Sequence, residues 1–255
     1  MWERIHLPVA PYCNIKCIFC DHQIGASCHI PKPGFATRVM SPSEAIKRFG
    51  EEYQRRPNLH IAAISGPGEP LANPQSFETL RGIRDINEDI EFCLSTNGTL
   101  LSDHIDELRD LNVRVISVSI STLNPDTAIK IYEWVIHDGM KFRGKQIGDW
   151  IIHRQLAGIK DAVESGIMVK VNSILIPGVN DLELENLAQS LSDIGVKLQN
   201  IIPLVPYANA IKFRAPSLSE INSIREKAAY YLKQFKHCAQ CRSDVVGIPG
   251  DDTVL

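Results

Sequence analysis

The chain has 255 residues, 44% of them hydrophobic and 22% charged, with a formal net charge of −3 and a pI near 6.2. That length suits one α/β domain over residues 1–255 with a sizeable buried core. The charge balance gives no basic footprint for nucleic acid, and no apolar run approaches membrane-spanning length.

Taken in chain order, apolar stretches at Ile5–Ala10, His60–Ser65, Ile90–Thr96, Arg114–Ser121, Met168–Ile176 and Leu198–Val205 read as strands with helical patterns between them. One helix starts at Ser41-Pro42-Ser43-Glu44, where Ser41 caps, Pro42 suits the first position and Glu44 closes a capping box. Residues His137–Asp149, with Gly139, Gly144 and Gly148, read as an insertion or lid. A helix is expected over Asp181–Ile194, where Leu182, Leu187, Leu191 and Ile194 fall at helical spacing, and a last one over Ser217–Phe235. That last helix leads into a tail, about residues 236–255, carrying Cys238 and Cys241. Six strand–helix units predict a parallel sheet with right-handed crossovers, an α/β fold of the partial (β/α)6 TIM-like barrel type.

Strand alternation predicts the lining. Glu91, Cys93, Ser95 and Asn97 share one face of their strand, and Ser117, Ser119 and Ser121 share another with Val115. Lys170 and Asn172 repeat the trend. Outer faces of barrel strands must be apolar to pack helices, so the polar faces should point inward, around a charged ligand. An edge strand with one wet face would show the same alternation.

The seven cysteines form three groups: the run Cys13, Cys17 and Cys20, the isolated Cys28 and Cys93, and the pair Cys238 and Cys241. An odd count without a signal-peptide pattern argues for a reducing cytoplasm rather than a disulfide framework. C-x3-C-x2-C after a short strand is the spacing of three thiolates that hold three irons of a [4Fe–4S] cluster and leave one iron open. An open iron is what S-adenosylmethionine (SAM) needs for radical chemistry. Zinc is the alternative, though zinc sites favour a fourth local ligand and paired C-x2-C halves. The Cys238/Cys241 spacing also suits a metal, with a structural zinc half-site or a redox pair as alternatives. Ser65-Gly66-Pro67-Gly68-Glu69-Pro70 follows the second strand, where glycines allow close backbone approach and Glu69 adds a carboxylate.

In combination these pieces resemble the NifB family, radical-SAM proteins of nitrogenase cofactor biosynthesis. The resemblance runs through His6–Pro11 into the cysteine triplet, Gly66–Asn73, Cys93–Gly98, Pro177–Asp181 and His237–Gly247, in order and over nearly the whole chain. It implies a radical-SAM barrel with three [4Fe–4S] clusters and SAM. One cluster cleaves SAM; two others, K1 and K2, are fused with a sulfide and a SAM-derived carbon into an [8Fe–9S–C] cofactor precursor. By position, Cys13, Cys17 and Cys20 would hold the SAM cluster, and Glu69 would be either a SAM-side residue or a reserve metal ligand. His6, Cys28 and Cys93 would hold K1, with His22 and His29 as competing ligands, and Cys238 with Cys241 would hold part of K2. Gly66, Gly68, Glu69, Ser95, Asn97, Ser119 and Asn172 are the candidate cofactor-binding residues. The cysteine that longer members carry upstream is not found, which leaves a third K2 ligand open, and a minimal, barrel-only form is expected. Implied partners are an iron–sulfur cluster donor, an electron donor and cofactor maturation or carrier proteins, with no nucleic acid and no membrane. Rival readings are another radical-SAM enzyme with an auxiliary cluster, such as a molybdopterin-precursor cyclase or a peptide-modifying enzyme, and a non-catalytic iron–sulfur scaffold.

Overall fold

A computed structural model describes residues 2–22, 24, 35–235, 242–248 and 250–255. The chain runs through β1 (Glu3–His6), β2 (Ile15–Cys17), α1 (Pro42–Arg55), β3 (Leu59–Ile64), α2 (Pro74–Ile86) and β4 (Glu91–Thr96). It continues with α3 (Leu101–Asp110), β5 (Val113–Ser119), α4 (Pro125–Ile131), β6 (Tyr132–His137), β7 (Met140–Phe142) and α5 (Lys145–Glu164). Then follow β8 (Met168–Leu175), α6 (Leu184–Ile194), β9 (Leu198–Pro203), α7 (Leu218–Ala228), β10 (Lys233–Gln234), β11 (Val245–Ile248) and β12 (Asp251–Val254).

All six expected strands form, and they pair in parallel in chain order, β1-β3-β4-β5-β8-β9. β10 adds a parallel strand beyond β9, while β11 and β12 continue the sheet antiparallel beyond β1. Among the described residues the wall therefore ends at β10 and β12 and does not close on itself, as a partial barrel requires. Helices cover its outer face: Phe49, Leu80, Ile83, Leu108, Ile159, Leu187 and Leu191 pack against Ile5, Ala62, Ile64, Phe92, Leu94, Ile116 and Val171. The capping box that opens α1 is formed, with the Ser41 side chain accepting from the Glu44 N–H and Glu44 accepting from the Ser41 N–H. Among the described residues no helix is long and apolar enough to cross a membrane.

Three expectations need correction. The segment His137–Asp149, expected as an insertion or lid, is regular structure: β6 and β7 form a hairpin around Asp138 and Gly139, both at positive φ (48° and 73°), and α5 begins at Lys145. Asp-Gly in that conformation is the two-residue turn that matches strand twist. The helix expected from Asp181 starts only at Leu184, because Asn180 donates to the Ser121 and Ile174 carbonyls and accepts from the Ile176 N–H, holding a turn there. Leu182 is consequently off the helix and 89% exposed. The last helix stops at Ala228 rather than Phe235. Lys233 and Gln234 instead pair with Leu198 and Gln199, and the Phe235 N–H bonds the Gln199 carbonyl, which satisfies the main chain at the edge of β9.

A second sheet, β2-β6-β7, lies beside the barrel mouth. Its inner residues Ile15, Tyr132 and Val135 join Ile18, Ile131, Ile147, Ile151 and Leu204 in a separate apolar cluster, with Cys13 and Cys17 packed against it. This satellite core carries the cysteine loop.

Candidate active site

Cys13, Cys17 and Cys20 sit on the loop around β2, each half-buried. The loop is tied down on two sides. On one, β2 pairs with β6 and the Ile18 N–H bonds the Ile131 carbonyl at 2.9 Å. On the other, the Gly68 N–H reaches the Ala10 carbonyl at 2.6 Å and the Glu69 N–H the Tyr12 carbonyl at 2.8 Å. Asn73 completes the clamp: it accepts from the Tyr12 N–H and donates to the carbonyls of Tyr12 and Glu69. The glycine at 68 is required here, since a Cβ would overlap the Tyr12 carbonyl group. That close approach serves the cysteine loop.

Burial pushes all three thiols up, Cys20 to about 11; the Glu69 carboxylate raises Cys13 further, and the neighbouring thiols raise Cys17 further. Among the described residues no three His, Cys, Asp or Glu groups converge tightly enough for a single metal ion. A cubane's cysteines bind irons at separate corners, and three cysteines on one loop supply the three ligands that a [4Fe–4S] cluster with one open iron needs. The Asn97 side chain bonds the Cys13 sulfur, and main-chain N–H groups of Ile15 and His22 support those of Cys13 and Cys20.

Glu69 is 3% exposed and joins three elements. Its carboxylate accepts from the Leu71 N–H at 3.1 Å, the Thr96 hydroxyl at 2.6 Å and the Asn97 N–H at 2.6 Å. Burial nevertheless raises its pKa to about 7, the three donors opposing that rise only in part. A cation brought beside it would return it to the ionised form.

The inner face of the sheet is polar in register. Ser95 pairs with Ser117 and Ser117 with Lys170; Ser119 pairs with Asn172 and Asn172 with Asn200. Phe92, Leu94 and Thr96 on the opposite face of β4 are buried, as the alternation predicts. Lower down, His6 pairs with Ala63 and Ala63 with Cys93, so His6 and Cys93 flank a small residue on one face, about 10 Å apart across two strand spacings. His6 is buried at 5% exposure; one ring nitrogen faces the Ser65 hydroxyl at 2.8 Å and the other accepts from Arg4 Nε at 3.1 Å. Burial, then the charges of Arg4 and Lys170, lower its pKa to about 3, so the ring is neutral. His22, at positive φ, lies beside the cysteine loop next to Cys20 rather than near His6 in sequence or strand register. The candidate ligands Cys28, Cys238 and Cys241, and the competing His29, lie outside the described residues.

Sequence reasoning missed three buried amides at this site. Asn14 donates to Thr99 and accepts from Asn97; Asn73 forms the clamp described above; Gln155 on α5 donates to the carbonyls of Asn97 and Ser119. Asn14 lies inside the cysteine spacing and Asn73 closes the Gly66–Asn73 run, so both were within reach of the motifs. Gln155 had no signal beyond a polar residue in an apolar helical face.

Two outcomes are expected. Gly68→Ala should destabilise the fold by about 1–3 kcal/mol, as overpacking does, and lower the iron loaded at the triplet; a melting curve and iron analysis check both. Glu69 has a folded pKa of about 7 against an ordinary 4.5, so the stability it contributes is fully present below 4.5 and is lost as pH rises through 7. Without SAM, the stability of the wild type relative to Glu69→Gln should therefore fall by about 1.4 kcal/mol per pH unit inside that window, read from denaturant unfolding across pH.

The sequence profile of the Radical SAM superfamily matches residues 7–191. The FeMo cofactor biosynthesis protein NifB of Methanocaldococcus infernus is 38% identical over 254 residues, covering 100% of this chain and 84% of that protein. Its namesake from Methanocaldococcus jannaschii is 36% identical, covering 99% and 84%. Among solved structures, Streptococcus suis SuiB superposes with a TM-score of 0.64 at 14% identity, over 92% of this chain and 50% of that one, a likeness of fold alone. With the triplet, the Gly66–Glu69 turn and the polar barrel in place, these matches make the chain a member of the NifB family within the radical SAM superfamily.

Proposed function

We propose that this chain is a radical-SAM enzyme of nitrogenase cofactor biosynthesis that fuses two [4Fe–4S] clusters with a sulfide and a SAM-derived carbon into the [8Fe–9S–C] precursor. The observation that carries this reading is the stacking of two levels in one lumen: the His6–Ala63–Cys93 row lies on the same inner wall as the Ser95 and Asn97 face, beneath the cysteine loop. An enzyme that only cleaved SAM would have no use for a second set of metal-binding side chains there.

Each residue then has a task. Cys13, Cys17 and Cys20 hold the resident cluster, which with SAM supplies 5′-deoxyadenosyl radical chemistry when bound. Glu69 offers its buried carboxylate to the SAM ammonium, an ion pair made strong by the dry surroundings that raise its pKa. Gly66 and Gly68 keep the turn beside it narrow. Ser95, Asn97, Ser119 and Asn172 hydrogen-bond the rest of SAM along the polar wall. His6 and Cys93, with Cys28, hold one substrate cluster across the small Ala63. Cys238 and Cys241 hold part of the other. Mixed histidine and cysteine ligation suits a substrate that must leave, because imidazole is a neutral and weaker partner for a cubane than thiolate. The expected partners are a cluster donor, a one-electron donor and a carrier that accepts the product.

The test separates the levels. Cys17→Ala should reduce 5′-deoxyadenosine production to background while the chain stays folded by circular dichroism. Cys93→Ala should remove one cubane's worth of iron and abolish [8Fe–9S–C] formation, yet leave SAM cleavage in place. SAM cleavage at wild-type rate by Cys17→Ala, or unchanged iron and spectra in Cys93→Ala, would overturn the respective assignment.

A further inference from the structure

Arg4 and His6 are two residues apart on β1 and so share its inner face. An arginine can only donate, so the Arg4 Nε–H bond to His6 Nε2 at 3.1 Å makes Nε2 the acceptor. The neutral ring then carries its proton on Nδ1, facing the Ser65 hydroxyl at 2.8 Å. A histidine that gives one ring N–H to a hydroxyl is in the tautomer that leaves the other nitrogen for a metal. That other nitrogen is the one Arg4 occupies.

The rest of the guanidinium is held elsewhere. Arg4 pairs with Asp252 on β12 at 2.9 Å and donates to the Gly247 carbonyl on β11 at 3.1 Å. Giving up the Nε contact would cost Arg4 one bond and leave those to the C-terminal hairpin intact.

We infer that Arg4 is a positioning residue that competes with iron for the Nε2 lone pair of His6, so that the histidine ligand of the substrate cluster is held reversibly. The inference rests on the assignment of His6 to that cluster. A ligand whose free form is held by a competing donor binds more weakly by a factor of one over the fraction of time it is left free. A hydrogen bond from a charged donor can supply about a ten-fold effect. Arg4 thereby loosens the substrate cluster without changing which atoms ligate it, and it takes over His6 as the product departs.

The experiment follows iron loss from the anaerobically reconstituted full chain to a ferrous chelator, together with the spectra of the clusters that remain. Arg4→Met should slow loss of one cubane's worth of iron by about three- to ten-fold, a stabilisation that mere damage to the fold would not produce. Arg4→Lys keeps a cation for Asp252 but lacks the Nε–H, and it should also slow the loss, which guards against misfolding of the Met variant. His6→Ala should lose that cluster, and adding Arg4→Met to His6→Ala should change nothing further. Unchanged or faster loss in both Arg4 variants, with His6→Ala still losing the cluster, would overturn the competition alone. Full iron content in His6→Ala would overturn the His6 assignment, and the competition with it.

Discussion

The site depends on a main-chain clamp between two loops that are far apart in sequence. The turn after β3 and the cysteine loop before β2 bridge at Ala10 and Pro67, and the Gly68 and Glu69 amides then donate to Ala10 and Tyr12. Neither loop has enough local structure to fix its own shape. Held together, each satisfies main-chain groups that would otherwise be buried unpaired, at a cost of about 1–3 kcal/mol apiece. The same residue that donates to the cysteine loop, Glu69, accepts from Thr96 and Asn97 at the end of β4. One residue, through its main-chain N–H on one side and its carboxylate on the other, thus links the cysteine loop to the barrel wall.

A barrel with a polar lumen has to find its apolar stability elsewhere, and here it comes from two separate places. The large cluster lies between the sheet and its helices, and the smaller one lies under the cysteine loop, built from β2, α4, β6 and α5. Because neither cluster occupies the lumen, serines, asparagines and Lys170 can line it in register without disturbing the packing. Buried amides such as Asn14, Asn73 and Gln155 link the two regions through hydrogen bonds with little freedom of geometry. Such networks specify one arrangement when they are satisfied.

How much of this was legible follows from the length of the elements. Each of the six parallel strands has an apolar outer face and a helix after it, so period and order were readable to within a few residues. The C-x3-C-x2-C run and Gly66–Glu69 were readable because metal and backbone chemistry demand those residue types. The small sheet was not, since β2 and β7 have three residues each and too little sequence to show alternation. Asp138-Gly139 did carry a hairpin signal, which the neighbouring glycines obscured by suggesting a loop. The C-terminal hairpin was missed because Asp251–Val254 is exposed throughout and has no apolar face to betray it. The setting of Arg4 was not legible for a related reason: its guanidinium is held by Asp252 on β12, 248 residues further along the chain.

Desolvation connects the chemistry at the two levels. It raises the thiols of Cys13, Cys17 and Cys20 and the carboxyl of Glu69, and it lowers the His6 imidazole. Every one of these groups is therefore biased toward its uncharged form. Thiols in that state must lose protons as iron binds, so assembly at the triplet is coupled to proton release. The imidazole needs no such loss, since a neutral ring is already the ligating form. Burial thus resists iron at the thiols unless the metal supplies the compensating charge, whereas at His6 it keeps the ring neutral and its Nε2 lone pair, now facing Arg4, intact. On the proposed assignments, a single physical cause would favour a firmly committed cluster at the cysteine triplet and an exchangeable one where His6 takes part.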